Sequence, residues 1–148
     1  MLRGVRSDLT PDDLADFLEL PIVAVFATYR RDGTVLLSPV WHEWRDGGFS
    51  VVATPGDVKV RNITRDPRAG IVVAESEPPY RGIEVRCTPT VSNDEGGVLT
   101  RRLCVRYLGE TRGPKVADDF GPQVHVRLRP ETPRDLRAWD FEDDYPPS

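Results

Sequence analysis

Two Asp-Gly steps, Asp32-Gly33 and Asp46-Gly47, stand between runs of β-branched and aromatic residues. Such a pair turns a chain back on itself, because its residues accept the left-handed backbone that matches a hairpin's twist. Ile22 to Tyr29, Thr34 to Trp44 and Phe49 to Thr54 therefore read as consecutive antiparallel strands. A chain that starts its sheet in this way does not alternate strand with helix, which excludes a Rossmann sheet. No Gly-x-Gly-x-x-Gly loop is present either, so a nucleotide would need a different cradle.

The remaining segments extend the same pattern. Thr10-Pro11-Asp12-Asp13 opens a helix with a hydroxyl cap, an early proline and first-turn carboxylates, and Leu14, Phe17 and Leu18 share one of its faces. A short basic helix opens at about Asp57 and breaks at Asp66-Pro67. Gly70 to Glu75 reads as a fourth strand and Gly82 to Ser92 as a fifth, with Pro89 at an edge or bulge. Asn93 is placed to cap a helix over 94–107 that buries Leu99, Leu103 and Tyr107, with Cys104 a small apolar neighbour. Gly109 to Pro122 reads as a loop, Gln123 to Arg129 as a sixth strand and Arg134 to Phe141 as a possible seventh. The acidic stretch 142–148 is expected to be loose. Residues 1–148 are thus expected to form one mainly β domain, an antiparallel barrel of six to seven strands with two to three short helices.

Composition narrows the function. A net charge of −4 argues against a protein devoted to nucleic acid. No apolar run approaches the roughly 20 residues that cross a bilayer. The first residues, Met1 to Asp8, lack the apolar core of a secretory signal. Cys87 and Cys104 are too few for a disulfide framework or a zinc site, so a reduced cytoplasm is the expected location.

Where the third strand hands over to the basic helix, free backbone N–H groups and the positive end of the helix dipole favour a phosphate. Lys59 and Arg61 would add charge there, although basic residues on a short helix also serve as a solvated face. Trp41 and Trp44, three apart on one strand, point to opposite faces; one is assigned to the core, the other to an interface or a ring contact. His42 and His125 stand without metal-spaced partners and read as structural. The carboxylates at Asp12-Asp13 and Glu142 to Asp144 belong to a helix start and a tail, not to an acid/base pair. No nucleophile–base constellation stands out, which disfavours hydrolases and acyl transferases.

Taken in order, several pieces resemble the flavin-binding split β-barrel family of pyridoxamine 5′-phosphate oxidase-like proteins, in its small single-domain branch. They are Val23 to Thr28 with Asp32-Gly33, Leu37-Ser38-Pro39-Val40-Trp41, Lys59-Val-Arg61-Asn62-Ile-Thr-Arg65-Asp66-Pro67, and Pro79-Tyr80-Arg81-Gly82. The resemblance implies a split barrel that pairs as a homodimer, with a cofactor in each groove between subunits. It implies FMN or the deazaflavin coenzyme F-420 as cofactor. Lys59 would contact the phosphate, with Arg61 and Asn62 nearby and Arg31 a further candidate for the same anion. Val52, Ala53 and Thr54 would edge the ring, Ser38, Pro39 and Val40 would line its face, and Tyr80 and Trp139 would close the site. Two features depart from the family: Cys87 stands where glycine is frequent, and 109–122 has no counterpart. The implied activity is hydride transfer between the bound ring and a planar conjugated small molecule. The alternatives are a non-catalytic protein storing flavin, haem or another tetrapyrrole, and a stress or interaction protein with a degenerate pocket.

Overall fold

Burial that alternates along several of the strands dictates two sheets facing one interior. The computed structural model describes residue 6 and residues 8–147, so most of the stretch read for a secretory signal lies outside the described residues. The strands are β1 (Ala24–Tyr29), β2 (Val35–Val40), β3 (Glu43–Arg45), β4 (Gly48–Ala53), β5 (Ala69–Ala74), β6 (Gly82–Cys87), β7 (Thr90–Asn93), β8 (Val124–Leu128) and β9 (Leu136–Trp139). One sheet has the order β2-β1-β5-β6-β9 and the other β3-β4-β8-β7, and every pairing is antiparallel. Phe26, Ile71 and Val85 line up across one sheet, and Phe49 with Leu128 and Val51 with Val126 across the other. All of these are fully or almost fully buried. Each large side chain sealed there stabilises the barrel by about 1.5–3 kcal/mol. Phe17, from the short helix α1 (Ala15–Leu18), closes one end of the core with no exposed surface.

The fold is the mainly β, antiparallel architecture expected, but two expected strands are each broken between the sheets. The segment Thr34 to Trp44 divides at Trp41-His42, sending β2 to one sheet and β3 to the other. At the break the His42 N–H donates to the Tyr107 hydroxyl at 3.1 Å, and that hydroxyl donates to the Ile22 carbonyl at 2.7 Å. A side chain distant in sequence therefore takes the place of a strand partner. The segment Gly82 to Ser92 divides in the same way at Thr88-Pro89, where the missing proline N–H ends the ladder. The turn at Asp46-Gly47 has φ values of 52° and 76°, the mirror-image hairpin turn that its sequence announces.

The largest correction concerns 109–122. Helix α3 runs over Val98–Asp119, with non-helical angles at Gly109 (φ 92°, ψ 170°). The two halves fold against each other. A Cβ on Gly113 would lie 2.6 Å from the Cα of Val105, and Arg101 pairs with Asp118 at 2.9 Å. Contacts at 113–105 and 118–101 are those of an antiparallel helical hairpin whose corner is Gly109. A glycine-rich, charged composition hides this, because here the glycines provide a corner and a close approach rather than a flexible loop. The N-cap position of α3 is Gly97, and Asp94 rather than Asn93 satisfies its first turn: the carboxylate accepts the N–H groups of Leu99 and Thr100, each at 2.9 Å, and the Thr100 hydroxyl at 2.7 Å. Arg106 then ties the hairpin to the barrel by donating to the carbonyls of Leu18, Glu19 and Leu20 at 2.8–3.2 Å.

The stretch expected to be a loose tail carries a turn, with the Tyr145 N–H donating to the Phe141 carbonyl at 2.7 Å. Tyr145 packs edge-on against Tyr80, 5.5 Å between ring centres. Among the described residues no helix is long and apolar enough to cross a membrane. Gly113→Ala should lower stability by about 2 kcal/mol through overpacking at the hairpin contact, seen as a lower urea midpoint with an unchanged m-value; an unaltered midpoint would mean the halves are not in contact.

Candidate functional site

β4 ends at Ala53, and Thr54-Pro55-Gly56 carries the chain into α2 (Val58–Arg65), whose N-cap is Asp57. Gly56 has a φ of +81°, a conformation that few other residues adopt, and it makes the tight turn possible. Ile63 anchors the helix in the core. Asn62 clamps it to β1, its Nδ2 donating to the Thr28 hydroxyl at 3.1 Å while its Oδ1 accepts from Arg65 at 3.2 Å. Both ends of the Asn62 amide are therefore engaged within the protein.

With these anchors set, helical geometry separates the two cations that the sequence placed together. Positions i and i+2 are about 200° apart around an α-helix. Lys59 borders a cleft of about 440 Å³ together with Val23, Pro39, Val40, Trp41, Val52, Ala53, Thr54, Asp57, Phe120 and Gln123. Arg61 borders a different cleft on the opposite side of α2, together with Arg30, Arg31 and Arg65. The Lys59 amine lies 2.7 Å from the Asp57 carboxylate, its side chain 18% exposed. That hydrogen bond and charge hold the Asp57 carboxyl below its ordinary pKa. Among the described residues, none of the four arginines has a carboxylate within ion-pair distance.

Of the sequence-derived site residues, Lys59, Pro39, Val40, Val52, Ala53 and Thr54 share one cleft. Arg31, Arg61 and Asn62 share the other. Ser38 pairs with Phe26, out of phase with Pro39 along β2, and lines neither cleft. Tyr80 packs on Tyr145, and Trp139 covers Gly82 beneath the Arg137 guanidinium, which is 5.0 Å from its ring centre. Trp139 lies on β9, the edge of the five-stranded sheet opposite β2, so neither aromatic reaches the Lys59 cleft of its own chain.

Trp41, one of the tryptophan pair read as one core residue and one interface or ring contact, leaves the strand at the sheet crossing and stacks on Tyr107, ring centres 4.9 Å apart and planes within 6°. Two further lining residues were not marked by the sequence: Phe120, from the stretch read as a loop, and Gln123, from the start of the expected sixth strand. Trp44 is the core member of the tryptophan pair, edge-on to Phe49 at 4.9 Å.

Neither histidine lines either cleft. His125 Nε2 lies 2.8 Å from the Ser50 hydroxyl, which also accepts from Arg127 at 3.2 Å. His42 is fully buried between Phe49 and Tyr107, and neither ring nitrogen has a hydrogen-bond partner among the described residues. Burial, reinforced by the charge of Arg106, pushes its pKa down to about 4. Cys87 and Cys104 are free thiols, and burial pushes the Cys87 thiol up to about 11.

The sequence matches the family described as pyridoxamine 5′-phosphate oxidase over residues 10–137. The chain belongs to the pyridoxamine 5′-phosphate oxidase family. This family member finds no match among the curated proteins. Among solved structures it resembles the conserved hypothetical protein Rv2991 from Mycobacterium tuberculosis, at 22% identity and a TM-score of 0.74, with 95% of this chain and 90% of that chain covered. A protein described as an F420 reductase is 30% identical with a TM-score of 0.65, covering 79% of this chain and 92% of the other. HutZ, the heme storage protein from Vibrio cholerae, has the same fold at 15% identity and a TM-score of 0.65, covering 88% and 94%.

His42 gives stability a pH dependence of defined sign. Its folded pKa, about 4, lies below its ordinary 6.5, so the unfolded chain binds the proton more readily. The neutral ring's contribution is complete above pH 6.5 and is lost as pH falls towards 4, by up to about 3 kcal/mol. Urea unfolding between pH 7 and 4 should show this slope, and His42→Phe should flatten it; an equal slope in both proteins would exclude His42 as its source.

Proposed function

We propose that this chain is an oxidoreductase that holds a phosphate-bearing flavin-type cofactor at the β4–α2 turn. In this reading it passes hydride between the cofactor ring and a planar conjugated small molecule. The observation that carries this is the convergence of Lys59 and the first turn of α2 with Pro39, Val40, Val52, Ala53 and Thr54 on a single cleft. Backbone N–H groups of the first helical turn and the Lys59 amine suit a phosphate monoester or diester. The apolar strand ends beside them suit a flat ring system. Membership of a family named for an oxidase supports redox chemistry.

When bound, the cofactor supplies the two-electron hydride chemistry. The protein's share is to bind, orient and exclude water. Val40, Val52 and Ala53 keep the ring's surroundings apolar. Lys59, released from Asp57 by a stronger anion, fixes one end of the cofactor. No side chain is assigned as a proton donor; the substrate takes its proton from solvent.

Between the two cofactors, the arginine cleft favours the deazaflavin. F-420 carries a long anionic tail beyond its phosphate, whereas FMN ends at the phosphate. Arg30, Arg31, Arg61 and Arg65 lie across α2 from Lys59, and Gly56 and Val58 at the start of the helix border the same cleft. A tail leaving the phosphate around the helix start would meet four guanidinium groups without carboxylate partners. The similarity to a protein described as an F420 reductase points the same way.

The reading includes a homodimer. Val23, Val25, Val35 and Leu37 are 50%, 37%, 43% and 64% exposed, and the pairings Val25–Pro39, Ala27–Leu37 and Tyr29–Val35 gather an apolar face on β1 and β2. A second copy seated there would adjoin the cleft through Val23 and Pro39, and Tyr80 and Trp139 could close the site from that copy alone. A cytoplasmic location agrees with the two free thiols.

Titrating the purified protein with F-420 and with FMN, followed by fluorescence quenching, tests the assignment. Lys59→Ala should weaken the cofactor that binds by about 1.5–3 kcal/mol, or ten- to 150-fold. Binding of neither cofactor would end the reading, and tight binding without reduction of any quinone-like or tetrapyrrole acceptor would turn it into storage. Leu37→Asp should convert a dimer into a monomer in sedimentation equilibrium and lower cofactor affinity with it; a wild-type monomer would refute the second-copy arrangement.

A further inference from the structure

The second half of the α3 hairpin covers residues that the sequence resemblance left unplaced, and its end forms part of the candidate cleft. Phe120, the first residue after α3, is 43% exposed. It lines the Lys59 cleft opposite strand residues Val23, Pro39 and Val40, and it borders the adjoining hollow formed with Thr54, Pro55, Val116 and Gln123. A large apolar ring left this exposed keeps part of its burial available to a ligand.

Its position is fixed from both sides. On one side the hairpin is closed at Gly113 and tied to α1 and the sheet crossing by Arg106 and Tyr107. On the other, the pairing Ala53–Val124 brings Gln123 beside the end of β4. Gln123 is 9% exposed and donates to the Gly121 and Pro122 carbonyls at 3.4 and 3.2 Å, which stiffens the segment that carries the ring. Trp41, one face taken by Tyr107, lines the same cleft.

We propose that Phe120 is the residue that selects the acceptor, receiving with Trp41 a planar, uncharged, conjugated ring at the mouth of the cofactor cleft. The charge preference follows from the lining. The cleft's single cation, Lys59, is neutralised by Asp57 and in the functional reading is reserved for the phosphate, and the walls facing Phe120 are apolar. An anionic acceptor finds no partner there, and a flat neutral one finds two aromatic surfaces. This inference rests on the cofactor reading above for the position of the redox ring, but it concerns a different set of residues.

Equilibrium dialysis with menadione, an uncharged quinone, and with 1,2-naphthoquinone-4-sulfonate, an anionic counterpart, tests it with and without saturating cofactor. Wild-type protein should prefer menadione. Phe120→Ala should weaken menadione about tenfold while leaving the cofactor Kd within twofold, and Phe120→Trp should keep menadione binding. Phe120 is exposed enough for these variants to fold, and the thermal midpoint of each verifies it. Menadione binding that is absent, or indifferent to Phe120→Ala, overturns the proposal and leaves the cofactor reading standing. Loss of the cofactor itself in Phe120→Ala also overturns it, by making Phe120 a cofactor contact. Phe120-dependent menadione binding in a protein that takes up neither F-420 nor FMN supports the aromatic site and removes the cofactor reading alone.

Discussion

A single buried hydrogen bond, from Asn62 to Thr28, sets the direction of everything around the candidate cleft. Thr28 has no exposed surface and Asn62 only 4%, so each would leave a costly unpaired polar group without the other, worth about 1–3 kcal/mol. The bond fixes the rotation of α2 against β1. With that rotation fixed, Lys59 faces the end of β4 and Arg61 faces the hairpin arginines. The strength of the bond matters less than its direction, because a rotation of α2 would exchange which cation meets which wall.

The barrel was legible in the sequence wherever local rules decide the outcome. The Asp46-Gly47 turn, the apolar runs of β1, β4 and β5, the strict alternation of β8 and the opening of α2 at Asp57 all follow from residues within a few positions of each other. The sheet crossings were not legible. At Trp41-His42 the cause is the Tyr107 hydroxyl, some sixty residues away in sequence. A period-two pattern continues through such a point undisturbed, since both sides of the break are buried. The same limit explains the strand count, in which two expected strands each become two.

The candidate site was legible in part, and the division is instructive. Residues on strand ends were placed together because pairing fixes their neighbours, so Pro39, Val40, Val52, Ala53 and Thr54 meet. Proximity in sequence misled on α2, where Lys59 and Arg61 were grouped although two residues of helix turn a side chain to the far side. Asn62 was grouped with them and instead holds the helix down. Composition misled most at 109–122. Glycine, proline and charge usually announce a loop, but Gly109 and Gly113 here are a corner and a contact point within helix, and the aromatic residue that follows them reaches the cleft.

The helical hairpin leaves the barrel at the end of β7 and returns at the start of β8, and these strands pair directly, Asn93 opposite Val124. Its two roots are thus neighbours in the ladder, and the sheet is continuous beneath it whatever its length. Changing the half of the hairpin beyond Gly109 leaves this ladder intact, whereas changing its first half would remove the Tyr107 hydroxyl and the Arg106 contacts that hold the sheet crossing and α1. The insertion is therefore rooted twice, by neighbouring rungs at its two ends and by side-chain bonds from its first half.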